Sequence, residues 1–159
     1  MLFRSCDEQT GSVDAGMTCR IFATDINEAG LALARRGTYD TASMRKTSLD
    51  RVQRYFSREG STYSIIPKMK EYVDFSSFDL LGSPSSCPPT SIYGSFDIVF
   101  CSNILFYFTN ESRRQILDKV GDCLGPGAYL VCGESEREIL HAAGYREICP
   151  NTAVFQRKP

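Results

Sequence analysis

The stretch Phe96-Asp-Ile-Val-Phe-Cys-Ser-Asn-Ile-Leu-Phe-Tyr-Phe108 constrains the fold more than any other part of the chain. It opens as an apolar run of strand length and stops abruptly at the small polar pair Ser102-Asn103. Such a pattern reads as a buried strand with polar residues at its carboxyl end. Open α/β sheets bind their ligands at the carboxyl ends of their strands. Ser102, Asn103 and Tyr107, four residues beyond Asn103, are therefore candidate functional residues.

The flanking sequence alternates in the way a doubly wound α/β sheet requires. Arg20–Thr24 reads as a short strand ending at Asp25, followed by a helix to about Arg36 with Gly37 as its C-terminal stop. Asp25-x-x-Glu28 fits a capping box with an acidic cap. Residues 47–58 read as a second helix. Thr62–Ile66 and Tyr72–Ser76 read as short strands, so residues 55–76 are expected to form a small β subdomain inserted into the alternation. Gly82–Thr90 holds Pro84, Pro88 and Pro89 among serines and reads as an exposed loop. After the strand at 96–101, Thr109 or Asn110 can cap a helix with an apolar face of Ile116, Leu117, Val120 and Leu124, stopped by Gly125-Pro-Gly127. A strand at 128–132, a helix at 135–143 and two closing strands at 145–149 and 153–157 complete the chain. Residues 5–19 read as a polar loop. At 159 residues the chain is expected to be one domain, 1–159.

Composition excludes several partners. Lys and Arg number 18 against 19 Asp and Glu, a formal net charge of −1. That balance offers nucleic acid or an anionic membrane no electrostatic attraction. The seven cysteines contain no C-x-x-C pair and there is a single histidine, so no metal is expected. Cys101 and Cys132 sit inside apolar runs, where reduced cysteine packs as a small hydrophobe. A reducing, cytoplasmic location follows. No apolar stretch approaches the ~20 residues of a membrane span, and the N-terminus lacks a signal-peptide apolar region.

Each chemistry-bearing residue has two readings. Asp25, an acid between a strand and a helix, either accepts the ribose hydroxyls of a nucleoside cofactor or caps the helix. Asp79 follows a strand-like stretch and also fits a turn acid. Asn103 either faces a ligand or caps a loop, and Tyr107 either meets a substrate or is half-buried core. Gly133-Glu-Ser-Glu136 fits a strand-to-helix turn with Ser135 as N-cap. Arg113-Arg114 and the pair Lys68 and Lys70 fit a solvated face.

Segment 96–108 resembles the Phe-Asp-x-Ile-x-Cys-Arg-Asn-x-x-x-Tyr-Phe signature of the S-adenosylmethionine (SAM)-dependent chemoreceptor methyltransferases, the CheR family. Ala23-Thr-Asp-Ile26 is similar to the string at that family's ribose-binding strand. Phe75–Leu81 is similar to its segment beside the adenine, and Gly133–Glu136 to its Gly-x-Ser-Glu motif. The likeness extends from Arg20 to Glu136. It implies a Rossmann-like doubly wound SAM-methyltransferase sheet with SAM as cofactor. Methyl would pass to glutamate carboxylates of the cytoplasmic domain of a chemoreceptor or a related signalling protein. It also implies roles: Asp25 at the ribose, Asp79 and Leu80 at the adenine, Ser102 and Asn103 bordering the SAM pocket, and Tyr107 as the catalytic residue near the transferred methyl. A glutamate acceptor is ionised at neutral pH, with an ordinary pKa of about 4.3. It attacks without a general base, so alignment and desolvation are the catalytic work.

The sequence departs from that pattern in two places. Ser102 stands where the family usually carries Arg, and a hydroxyl cannot replace a guanidinium fork. The family's Gly-Glu-Glu-Pro-Tyr-Ser string, which precedes its first acid-ended strand, does not occur in this chain. Met1–Arg4 reads as the tail of the helix after that string. The sheet is accordingly expected to be incomplete at its N-terminus, through a fragment, a mis-started gene model or a degenerate copy. These departures keep open a non-catalytic CheR-like interaction module in a signalling pathway. A nucleic-acid amino-methyltransferase would need a proline-bearing motif where Ile104-Leu105 stand, and a nicotinamide-binding domain would need a G-x-G-x-x-G string.

Overall fold

A computed structural model of the protein describes residues 19–88, 91 and 95–157. The chain divides into two compact units, Met1–Phe78 and Asp79–Pro159. The helix tail expected at 1–4 and nearly all of the loop expected at 5–19 lie outside the described residues.

The first unit is a βαβ crossover with an antiparallel sheet inserted in it. Strand β1 (Ile21–Asp25) pairs in parallel with β5 (Val73–Ser77), from Ile21 opposite Val73 to Asp25 opposite Ser77. Helix α1 (Glu28–Arg36) follows β1. Its N-cap is Asn27, whose side chain accepts from the Gly30 amide, and not Asp25. Asp25 lies two residues too early: its carboxylate bonds the Asn27 amide and shapes the strand-to-helix turn. Gly37 closes α1 in the left-handed region at φ 62°, as its place after the last apolar repeat predicts. The Lys70 ammonium reaches the Arg36 carbonyl at this same end, so Lys70 serves the helix C-terminus and is not a bare surface charge.

The inserted sheet has the order β2-β4-β3, built from Thr38–Asp40, Phe56–Glu59 and Thr62–Ile65. Between β2 and β3 runs α2 (Leu49–Tyr55), and α3 (Pro67–Lys70) leads on to β5. Two expectations change here. The helix read over 47–58 stops at Tyr55, because Phe56 pairs with Ile65 and its ring meets Tyr39 edge-on at 5.9 Å. The stretch at 72–76, read as part of the β insertion, pairs with β1, and β2 takes its place. Strands and helix ends settled by long-range pairing leave no local signature.

The second unit is a four-stranded sheet in the order β6-β7-β9-β8. Strand β6 (Phe96–Cys101) runs parallel to β7 (Leu124–Cys132), with helix α4 (Asn110–Cys123) as the crossover. Helix α5 (Arg137–Ala142) then leads to an antiparallel hairpin of β8 (Tyr145–Glu147) and β9 (Val154–Arg157). Thr109 caps α4, accepting from the Ser112 amide. The helix buries Ile116, Leu117, Val120 and Cys123. Leu124, expected as the last residue of that face, instead opens β7. Gly125-Pro-Gly127 continues the strand, so the helix has already stopped before it.

Leu105, Ile116, Leu130, Leu140 and Phe155 are fully buried in this unit and form its dry centre. Cys101 and Cys132 pack beside them as the small hydrophobes expected. The chain is thus of the mixed α/β class, and each unit carries one parallel strand pair whose carboxyl ends face the same way.

Candidate site at the carboxyl ends of the parallel strands

In the first unit, β1 ends at Asp25, whose side chain is exposed. One carboxylate oxygen accepts from the Asn27 amide at 2.9 Å, and the Asp25 carbonyl takes the Phe78 amide at 3.1 Å. A carboxylate has about four acceptor positions, so capacity remains for vicinal hydroxyls.

In the second unit, Asp79 opens a tight turn. Its carboxylate accepts from the Leu81 amide at 2.8 Å. Bonds from the Gly82 and Leu81 amides hold it below the usual carboxylate range. A Cβ on Gly82 would come within 2.5 Å of Asp79 Oδ2, so a larger residue there would push this carboxylate out of its place in the turn. Leu80 is half-buried against the core of the same unit.

The loop after β6 is held from several sides. Asn103 adopts φ 59°, a left-handed conformation that asparagine tolerates better than most residues. A 3-10 turn, Leu105–Tyr107, follows. Beneath it lies Glu136, at 0% exposure. Its carboxylate accepts four backbone N–H groups: Asn103 at 2.8 Å, Ile104 at 2.7 Å, Leu105 at 2.6 Å and Gly133 at 2.8 Å. Both oxygens are used twice. The other end of the turn is held by Arg113, whose guanidinium donates to the Leu105 carbonyl at 2.8 Å and the Phe106 carbonyl at 3.4 Å. Anion at the amide end and cation at the carbonyl end match the dipole of a helical turn. Gly133 is the third constraint. A Cβ there would meet Asn103 Oδ1 at 2.8 Å and Glu136 Oε2 at 2.9 Å.

Burial pushes the thiols beneath this loop upward, Cys101 to about 12 and Cys132 to about 11, and the Glu136 carboxylate adds to both. Neutral thiols at these values are not nucleophiles. Tyr107 stands on the surface at 77% exposure, stacked obliquely on Phe106 with ring centroids 4.3 Å apart. It is therefore not the half-buried core residue of the alternative reading. Ser102 is half-buried and Asn103 exposed.

The second unit thus brings Ser102, Asn103 and Tyr107 together on one loop, while Asp25 belongs to the first unit. Two residues carry more than their sequence setting shows. Glu136, not Ser135, is the member of Gly133–Glu136 that bonds the loop, and Arg113 holds the loop's carbonyls and is not a solvated charge. An acid three residues after a strand-end glycine is the only local hint of the former. Among the described residues no group of His, Cys, Asp and Glu could hold a metal ion, and no helix is long and apolar enough to cross a membrane.

Residues 6–154 match the family described as CheR methyltransferase, SAM binding domain. The chain is 40% identical over 128 residues to chemotaxis protein methyltransferase 1 of Pseudomonas aeruginosa, covering 79% of this chain and 44% of that protein. It is 38% identical over 122 residues to chemotaxis protein methyltransferase Cher2 of Pseudomonas putida, covering 76% and 42%. It is 36% identical over 126 residues to the chemotaxis protein methyltransferase of Listeria monocytogenes, covering 79% and 45%. The chain spans less than half the length of these relatives.

Proposed function

Since the chain belongs to the CheR methyltransferase family, we propose that it carries part of the site of a SAM-dependent O-methyltransferase acting on glutamate carboxylates of chemoreceptors. The match of residues 6–154 to that family's SAM binding domain carries this reading. The exposed acid at the end of β1 and the clamped loop at the end of β6 support it, since both lie at strand carboxyl ends.

In this reading Asp25 accepts the ribose hydroxyls. Asp79 keeps acceptor positions for the adenine amino group although its turn uses two, and Leu80 offers an apolar edge to the ring. Ser102 and Asn103 border the sulfonium end. SAM, when bound, would supply an electron-poor methyl group for transfer to an oxygen of the acceptor carboxylate, leaving as S-adenosylhomocysteine. No proton moves, because glutamate is already ionised at neutral pH. The chain's work is positional: Tyr107, exposed and braced by Phe106, holds the acceptor against the methyl and keeps water off the line of attack. The location proposed is cytoplasmic, where receptor signalling domains and SAM are both present.

A second reading is a CheR-like module that binds signalling partners without turnover, and Ser102 in the family's arginine position favours it. Calorimetric titration of the chain with SAM and S-adenosylhomocysteine, with Asp25→Ala alongside, separates the two. Saturable binding lost in the variant supports the enzyme, and transfer of labelled methyl to a receptor fragment completes the test. A folded chain that takes up neither nucleoside rules the enzyme reading out.

A further inference from the structure

We infer that Glu136 and Arg113 are positioning residues that set the geometry of the loop bearing Ser102, Asn103 and Tyr107; this rests on that loop being part of the methyl-transfer site. The two side chains come from different elements, one after β7 and one from α4, and close on the same 3-10 turn from opposite ends. Glu136 takes the three successive amides of Asn103, Ile104 and Leu105, together with Gly133 at the end of the neighbouring parallel strand. Arg113 takes the carbonyls of Leu105 and Phe106, and its third nitrogen donates to Asn110 Oδ1 at 3.0 Å. Three amides at the start of the turn and two of its carbonyls are thus assigned to fixed charges.

The arrangement explains how Asn103 keeps its left-handed backbone. A non-glycine residue adopts that region at a cost in backbone strain, smaller for asparagine than for most, and keeps it where its surroundings impose it. The Asn103 amide is bonded to Glu136 Oε2, and its side-chain oxygen lies over the Cα of Gly133, where no Cβ fits. Rotating Asn103 out of this conformation would strip one oxygen of a buried carboxylate of a donor. The Asn103 side chain and the Tyr107 ring four residues on are therefore presented in one orientation before any ligand arrives, which is the preorganisation an alignment-driven transfer needs.

The test uses the 159-residue chain and two variants. Glu136→Gln keeps the shape but turns one acceptor oxygen into a donor facing two N–H groups. Arg113→Lys keeps the charge and loses the fork. Residue-resolved amide exchange is the first readout. In Glu136→Gln the four amides of Asn103, Ile104, Leu105 and Gly133 are expected to lose protection together by at least tenfold, with the α4 amides at 116–121 unchanged. Affinity for S-adenosylhomocysteine is the second, expected to fall about tenfold in Glu136→Gln and about threefold in Arg113→Lys. Protection lost evenly through α4 and β7 would mean that Glu136 merely holds the unit together, and the proposal fails. Local loss without any change in nucleoside affinity also overturns it. If the unaltered chain binds no nucleoside, the methyltransferase reading fails, and the exchange pattern alone decides whether Glu136 sets the loop. Should Glu136→Gln not fold, Arg113→Lys carries both readouts.

Discussion

The first unit's side-chain bonds at the end of β1 run between near neighbours, beside the Phe78 amide that the Asp25 carbonyl takes. Asp25 holds the amide two residues on, and Asn27 the amide three residues on. The second unit fastens the end of β6 with a carboxylate 31 to 33 residues away and a guanidinium from the following helix. Burial differs in the same sense. The largest fully buried side chains among the described residues, Phe155, Leu105, Ile116, Leu130, Leu140 and Glu136, all lie in the second unit. In the first, Leu31, Met44, Tyr63, Val73 and Phe78 are buried but none is wholly closed off. A strand end held locally can form its turn early and cheaply and remains pliable. One held from a distance exists only when the whole unit is folded, and is rigid once it does.

Four experiments, with five substitutions, break or sharpen this contrast. The largest effect is expected from Glu136→Ala, which removes the acceptor of four amides. At about 1–3 kcal/mol for each group left unsatisfied, partly relieved by entering water, the second unit loses roughly 4 kcal/mol or more. The urea midpoint reported by probes in α4 or β7 reads it, and a shift under about 1 kcal/mol would mean that water replaces the carboxylate freely. Next come paired core truncations. Phe155→Ala is expected to cost about 4 kcal/mol and Leu31→Ala about 2 to 3 kcal/mol, and equal costs in urea melts would erase the distinction between the units. Gly37→Ala should cost about 1 kcal/mol by forcing a Cβ into the left-handed region, with the Lys70 Cε only 3.0 Å away, as read from the thermal midpoint of the first unit.

The last is lost in acid. Arg137 grips Glu147 through two nitrogens at 2.9 and 2.7 Å, and the Ala153 amide adds a third bond. The guanidinium's hydrogen bonds first, then that amide, lower Glu147 from 4.5 to about 2. The folded value is the depressed one, so the contribution of Glu147 is complete above about 4.5 and disappears as the pH falls towards 2. The difference in thermal midpoint between the unaltered chain and Glu147→Gln should be constant from pH 7 to 5 and vanish near pH 2. A difference that persists at pH 2 would assign the effect to packing.

The same contrast explains what could be read from residues alone. The βαβ pattern, the cap at Thr109 and the stop at Gly37 depend on neighbours a few positions apart, so their residues announce them. The strand at 96–101 and the position of Ser102 and Asn103 at its carboxyl end were legible from an apolar run that stops at a polar pair, but the buried strand expected there is closed off only at Cys101, with Ile98 and Phe100 about half exposed. Asn27 displaced Asp25 as the helix cap because two polar residues competed for one turn and only geometry chose. Glu136 was hidden for the opposite reason. Its partners are backbone amides, which look alike in every sequence, and three of the four lie more than thirty residues away. Arg113 likewise bonds carbonyls, and nothing in an Arg-Arg pair distinguishes the clamp from its solvated neighbour. The exchange of β5 for β2 in the inserted sheet has the same origin, since strand partners are selected by the assembled sheet.

Tyr107 gives the molecule a built-in reporter. The chain contains no tryptophan and eight tyrosines, so its near-ultraviolet signal comes from phenol rings. Among the described ones Tyr107 is by far the most exposed, while Tyr63 and Tyr145 are buried and the Tyr145 hydroxyl is spent on the Leu117 carbonyl. Mild nitration should therefore mark Tyr107 before those rings and install a coloured group on the clamped loop. Whatever settles against that ring, nucleoside or peptide, would then register as a change in colour.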